Sequence, residues 1–114
     1  VVSAVDNMDV RAAMWKVHKR NGCKLFIDPR MGAEVLRVYS INPKDKKQAA
    51  FYESTLYPQD KAAPDKCAAR TIIYTVLLAS GIVSSHVQKF LTGGKYPKEI
   101  ILDAKNSRYL RSKD

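Results

Sequence analysis

Cysteine, histidine and glycine are sparse in this chain, and none is spaced to build the sites these residues usually build. The two cysteines, Cys23 and Cys67, and the two histidines, His18 and His86, fall into no Cys-x-x-Cys, His-x-x-x-His or glutamate-bearing motif. A disulfide framework and a zinc site made by this chain alone are therefore not expected. The five glycines form no G-x-G-x-x-G and no Walker A loop, so the chain carries no phosphate cradle of its own. Long apolar runs are missing as well. The longest, 72–83, is broken by Thr75, Ser80 and Gly81 and falls short of the roughly 20 residues of a membrane span. No basic segment leads into an apolar stretch and a small-residue cleavage site, so no membrane role or secretion is read, and a reducing cytoplasm is the expected setting. No internal repeat is visible.

What is present is ordinary globular material. At 114 residues, 46% hydrophobic and 27% charged, the chain supports one small folding unit, 1–114, and is too short for two cores. Acidic residues are in deficit, with eleven Asp and Glu against twenty Lys and Arg, giving +9. Such a charge suits phosphate-rich partners. The basic residues are nevertheless scattered, with loose concentrations at 16–20, 44–47 and 105–113, and runs of this kind read as solvated faces, so a nucleic-acid partner is not expected from charge alone. The sequence opens without Met on the apolar run Val1, Val2, Ala4 and Val5. Domains seldom open on a buried strand, and the chain reads as a fragment.

Along the chain, 1–5 reads as a strand covered on both faces, and 7–20 as a helix with Val10, Ala13, Met14 and Val17 on one stripe, stopped by Asn21-Gly22. The segment 23–28 reads as a strand closed by Pro29 and Gly32, and 33–41 as an interior strand, which together argue an α/β unit. Residues 44–57 are ambiguous between a helix and an extended loop. The two prolines within 57–65 mark a crossing segment. Asp65 is placed to cap a long helix over 66–91, with Ala69, Ile72, Ile73, Val76, Leu77, Val83, Val87 and Phe90 inward and Gly93-Gly94 as terminator. A last strand covers 99–103, and 105–114 is a basic tail with an extended stretch at Tyr109-Leu110.

Two residues stand out chemically. Asp6 closes an apolar strand and opens a helix, the place where ligands bind open α/β sheets, and equally the place of a helix N-cap. Cys67 lies at a helix start between Lys66 and Arg70, where dipole and cations favour a thiolate; the plainer reading is a small, partly buried first-turn cysteine. Cys23 reads as core packing. Neither His18 nor His86 has a partner identifiable from spacing. The stretch 78–91 imitates a helix-turn-helix through Gly81 and Ser84-Ser85, and reads also as one continuous helix with a tolerated glycine.

The segment Ser3-Ala4-Val5-Asp6-Asn7-Met8-Asp9-Val10-Arg11 is similar to the strand followed by D-N-x-x-x-R in the ubiquitin-activating, E1-like ThiF/MoeB superfamily. A strand with Asp28-Pro29-Arg30-Met31-Gly32, a second at 34–41, a crossover with Tyr52-Glu53 and Leu56-Tyr57-Pro58, and Cys67-Ala68-Ala69-Arg70 entering a long helix resemble bacterial ThiF-type members. The stretch 97–103 resembles their late strand. The likeness spans nearly the whole chain but only the second half of the family's domain. It implies the second half of a Rossmann-like adenylation domain, with a crossover loop at about 43–66 and a basic tail at 105–114. The first half, which carries the glycine-rich nucleotide loop and the residues that grip ATP, has no match here and would be a required partner.

By resemblance, Asp6 corresponds to the family's aspartate near ATP and Mg²⁺, a hard ligand suited to that cation. Cys67 corresponds to the cysteine that accepts an activated acyl group as a thioester, although Cys-Ala-Ala-Arg lacks the threonine of the family's Cys-Thr-x-Arg pattern, and some members transfer without a cysteine there. The implied activity is ATP-dependent adenylation of the C-terminal carboxylate of a ubiquitin-like or sulfur-carrier protein by a homodimer. A close variant would activate a small carboxylate on tRNA. Two further classes stand beside it: a basic helix-turn-helix domain binding nucleic acid through 84–91, and a noncatalytic E1-like assembly module.

Overall fold

The computed structural model describes residues 1–61 and 72–113. Its elements run α1 (Met8–Arg20), β1 (Phe26–Gly32), β2 (Val35–Ile41), α2 (Lys46–Glu53), a 3-10 turn (Gln59–Lys61), α3 (Ile73–Thr92), β3 (Glu99–Asp103) and β4 (Arg108–Arg111). The class is mixed α/β, as the sequence predicts. The four strands form one sheet in the order β1-β2-β3-β4, every neighbour antiparallel. The only parallel pairing among the described residues is a bridge from Val2 to Ile27, where Ile27 N–H donates to the Val1 carbonyl and Ser3 N–H to the Ile27 carbonyl, at 2.9 and 2.8 Å. The expected first strand is thus reduced to a short edge pairing that leaves Val1 and Val2 exposed, and it is not covered on both faces.

Local chemistry explains the elements. Asn7 caps α1, its Oδ1 accepting from the N–H groups of Asp9 and Val10 at 2.9 and 3.1 Å, and Lys19 and Arg20 complement the helix dipole in the last turn. The stripe facing the sheet differs from the predicted one: Met8, Arg11 and Trp15 are buried, whereas Val10 is 47% exposed and Val17 is also exposed. The bulk of Trp15 and an ion pair made by Arg11 decide the rotation of the helix, outweighing two valines.

β1 runs on through Pro29 instead of stopping there. Ile27 turns its N–H and C=O towards the Val1–Ser3 stretch, so by the two-residue period Pro29 faces that same outer edge, and its missing N–H removes no bond to β2. The ambiguous stretch after β2 is helix α2, capped by Asp45. The basic tail contains β4, paired from Arg108 with Asp103 to Arg111 with Ile100.

The sheet separates two cores. On one face α1 and α2 gather Trp15, Phe26, Tyr39, Ile41, Ala49 and Tyr52; on the other, α3 lays Ala79, with Ile82, Val83, Val87 and Phe90 beside it, on Leu25, Ile27, Leu36, Val38 and Ile100. α3 is one unbroken helix through Gly81, so this glycine is not the turn of a helix-turn-helix. The helix ends at Gly93, in the left-handed region at φ 75°, as its terminator role requires. Ile73 and Leu77, expected inward, are 67% and 63% exposed. The expected start of this helix at Asp65 and Lys66 lies outside the described residues.

Candidate functional site

The most polar part of the interior is an ionic knot around Asp28, which is 0% exposed. Arg11 Nε donates to Asp28 Oδ1 at 2.6 Å, while Arg30 Nε and the Tyr52 hydroxyl donate to Oδ2, each at 2.8 Å. The remaining donors are used too. Arg11 Nη2 donates to the Val5 carbonyl at 2.6 Å, and Arg30 donates through Nη1 and Nη2 to the carbonyl and hydroxyl of Thr55 at 2.9 and 3.0 Å. Burial pushes the Tyr52 phenol well above its ordinary range, and the neighbouring Asp28 carboxylate pushes it further. Burial pulls Arg30 down, but the charge of Asp28 and the contact with Tyr52 outweigh it and hold the guanidinium above its usual value. A buried carboxylate this fully satisfied is structurally secure; remove it, and two guanidinium groups are left facing each other in low dielectric.

The knot ties down two loops, and a separate pair of bonds holds a third. Arg11 fixes the Val5 carbonyl, and hence the turn that follows with Asp6. Arg30 fixes the end of α2 at Thr55. The 3-10 turn is bonded to the start of α1, where Met8 N–H donates to Gln59 Oε1 at 2.7 Å and Gln59 N–H to Asp9 Oδ1 at 3.2 Å.

Asp6 itself is exposed at the end of the Val1–Val5 stretch. It is not the N-cap, because Asn7 fills that position, and its carboxylate has no hydrogen-bond partner among the described residues. The capping explanation for Asp6 therefore falls away. Among the described residues no group of three or more His, Cys, Asp or Glu could hold a metal ion. Asp6 offers one exposed carboxylate, a hard oxygen donor of the kind Mg²⁺ takes one or two of from a protein while keeping the rest of its shell as water and phosphate oxygen. Cys67 lies outside the described residues, so its geometry relative to Asp6 is not part of the structure.

Beside the knot opens a cleft of about 520 Å³ between β1, β2 and the end of α2, lined by Arg30, Val35, Arg37, Tyr39, Thr55 and Tyr57 among others. The Arg30 guanidinium stacks over Tyr39 at 4.6 Å, and Arg37 Nη1 donates to the Tyr39 hydroxyl at 3.3 Å. Both guanidinium groups on this aromatic floor are ion-paired, Arg30 with Asp28 at 2.8 Å and Arg37 with Glu99 at 3.9 Å, so the cleft is an open groove with an aromatic floor and guanidinium rims rather than a site of uncompensated positive charge.

Sequence reading singled out Asp6 and missed the knot. The available signal was Asp28 and Arg30 inside a strand and Arg11 at helical spacing from Met8 and Trp15, charged residues at positions that periodicity assigns to the core. His86 also has partners that spacing did not reveal, with Ser40 Oγ at 2.7 Å from Nδ1 and Tyr96 stacked at 5.5 Å. No protein-family model matches the sequence, and a comparison with curated proteins finds no match either.

Proposed function

We propose that this chain forms the second half of an E1-like adenylation domain, which activates the C-terminal carboxylate of a ubiquitin-like or sulfur-carrier protein together with an N-terminal half that supplies the nucleotide loop. One observation carries the reading: the sequence segments that resemble the ThiF/MoeB superfamily converge in space on Asp28. Arg11 comes from the Asp-Asn-x-x-x-Arg segment, Asp28 and Arg30 from Asp-Pro-Arg-Met-Gly, and Tyr52 from the crossover, all within 2.6–2.8 Å of one carboxylate.

In this reading the knot positions and Asp6 acts. Arg11 holds the Val5 carbonyl, so Asp6 leaves the strand end with its carboxylate uncommitted. It would hold Mg²⁺, and the ion would supply positive charge to the phosphates of ATP as pyrophosphate leaves. The cleft floored by Tyr39 receives the carrier's extended C-terminal tail. Cys67 is the acceptor if transfer proceeds through a thioester.

The test is ATP–pyrophosphate exchange driven by a carrier protein, measured on the chain alone and with its N-terminal half. The isolated chain should be inactive and the reconstituted pair active. Exchange by this chain alone, or none from the pair with any carrier ending in a flexible tail, defeats the reading.

A further inference from the structure

The positive charge that is scattered along the sequence is gathered in space. Strand register sets Phe26 opposite Ile41 and Tyr39 opposite Glu99, and Ser112 N–H donates to the Glu99 carbonyl at 2.9 Å. The starts of β1 and β3 and the ends of β2 and β4 therefore share one end of the sheet. α1 finishes there, since a Cβ on Gly22 would lie 3.8 Å from Lys44 Cε. α3 finishes there too, with His86 on Ser40 and the returning chain bonded through the Lys98 carbonyl to Ser40 N–H at 2.9 Å. Each segment brings a cation: Arg20 from α1, Lys24 ahead of β1, Lys44 between β2 and α2, Lys46 and Lys47 at the start of α2, and Lys98 ahead of β3. The opposite end, where Asp6 lies, mixes the signs, with Asp9, Glu34 and Asp103 against Lys61, Lys105 and Arg108.

Surface lysines are commonly no more than solvated charge. Lys46 and Lys47 differ, because they occupy the first turn of α2, which has no acidic residue, and there the positive end of the helix dipole disfavours them. Of the two carboxylates at this end, Asp45 is spent as the cap, accepting from Lys47 and Gln48 N–H at 2.9 and 3.1 Å, and Glu99 is paired with Arg37 at 3.9 Å. Among the described residues Arg20, Lys24, Lys44, Lys46 and Lys47 form no ion pair. A local rule broken with no compensation inside the molecule marks a surface shaped by something outside it.

We propose that this basic end of the sheet docks on the phosphate backbone of a duplex nucleic acid. Lysines on separate loops act as mobile point charges, suited to repeated phosphates and not to a single shaped carboxylate. These loops expose no aromatic ring on which unpaired bases could stack, since Tyr96 is half-buried against His86, so a single strand is not the fit. A bilayer or an acidic protein would call for a cluster of large apolar anchors, and this end offers one leucine, Leu91, with the smaller Val1 and Val17 exposed on separate elements. The proposal is independent of the adenylation reading, whose residues lie at the other end.

The test uses the full chain and a fluorescein-labelled DNA duplex of about two helical turns, followed by anisotropy between about 50 and 200 mM salt. Binding should weaken steeply with salt. Lys44→Glu/Lys46→Glu/Lys47→Glu should bind at least ~10-fold more weakly and lower the salt slope by about three or more, whereas Lys61→Glu/Lys105→Glu/Arg108→Glu should change affinity by less than about threefold. Glutamates in the first turn of α2 favour that helix, so the triple variant should melt no earlier than the parent; Lys24→Glu/Lys44→Glu, which leaves α2 untouched, should repeat the loss. Equal losses in both triple variants, salt-independent binding, or tighter association with phosphatidylserine vesicles or polyglutamate than with the duplex overturns the proposal.

Discussion

The two faces of the sheet are built on different principles. Under α1 and α2, four aromatic rings meet edge to face, Trp15 with Phe26 at 5.2 Å and Tyr39 with Tyr52 at 5.7 Å, and the same layer holds the charges of Asp28, Arg11 and Arg30. Under α3 the filling is aliphatic, relieved by the Ser40–His86 contact. Aliphatic packing is non-directional and tolerates repacking, whereas a carboxylate bridged by two guanidinium groups and a hydrogen-bonded ring accepts one arrangement. The loops that need fixed positions, those carrying Asp6 and the cleft, hang from the directional face.

That contrast is sharpest at Asp28. Asp28→Ala should destabilise the chain by about 3–5 kcal/mol, the cost of leaving buried cations uncompensated, read as a lowered urea midpoint. A loss under about 1 kcal/mol would mean that Arg11 and Arg30 escape to solvent and that the two faces are equivalent. Asp6→Asn should do the reverse: unchanged urea midpoint, but pyrophosphate exchange in the reconstituted enzyme reduced by roughly 10²-fold, the scale of one lost electrostatic stabiliser. Unchanged exchange would return Asp6 to a surface residue.

A third probe uses pH. Because the Tyr52 phenol is held above its ordinary range, the folded state keeps the proton that an unfolded tyrosine gives up near pH ~10. This contribution is complete below that pH and is lost as the pH climbs further. The urea midpoint of the parent should therefore fall more between pH ~9 and ~11 than that of Tyr52→Phe; parallel curves would remove Tyr52 from the knot. The smallest effect belongs to the aliphatic face, where Ile100→Val should cost about 0.5–1.5 kcal/mol in a denaturation curve and leave the cleft unaltered.

Elements governed by local rules were legible in the sequence. Asn21-Gly22 ends α1, Gly93 ends α3, and β2, β3 and the extended stretch at Tyr109-Leu110 fall near their expected places. What escaped was set by partners distant in sequence. Val10 and Val17 fit a helical stripe as well as Met8 and Trp15 do, and the choice is made by distant partners, the carboxylate of Asp28 that captures Arg11 and the aromatic core that takes Trp15. Pro29 is a stop signal in isolation, and becomes admissible only because its N faces an edge. The antiparallel order was hidden because α3, lying between β2 and β3 in sequence, hides their direct pairing. Of the site, Asp6 could be picked out by its position, while the knot could not, since burial of a charge is invisible without its counter-charges.

Pro29 also acts as a ruler. A chain lying along the outer edge of β1 is anchored through both backbone groups of Ile27 and finds no N–H at the next outward-facing residue. A neighbouring strand therefore cannot zip further by the ordinary ladder, whether it comes from this chain or from another copy. The same imino acid that spares the edge from indefinite strand addition sets the point at which the incoming backbone must peel away, and so meters the few residues of slack between the sheet and α1 on which Asp6 rides.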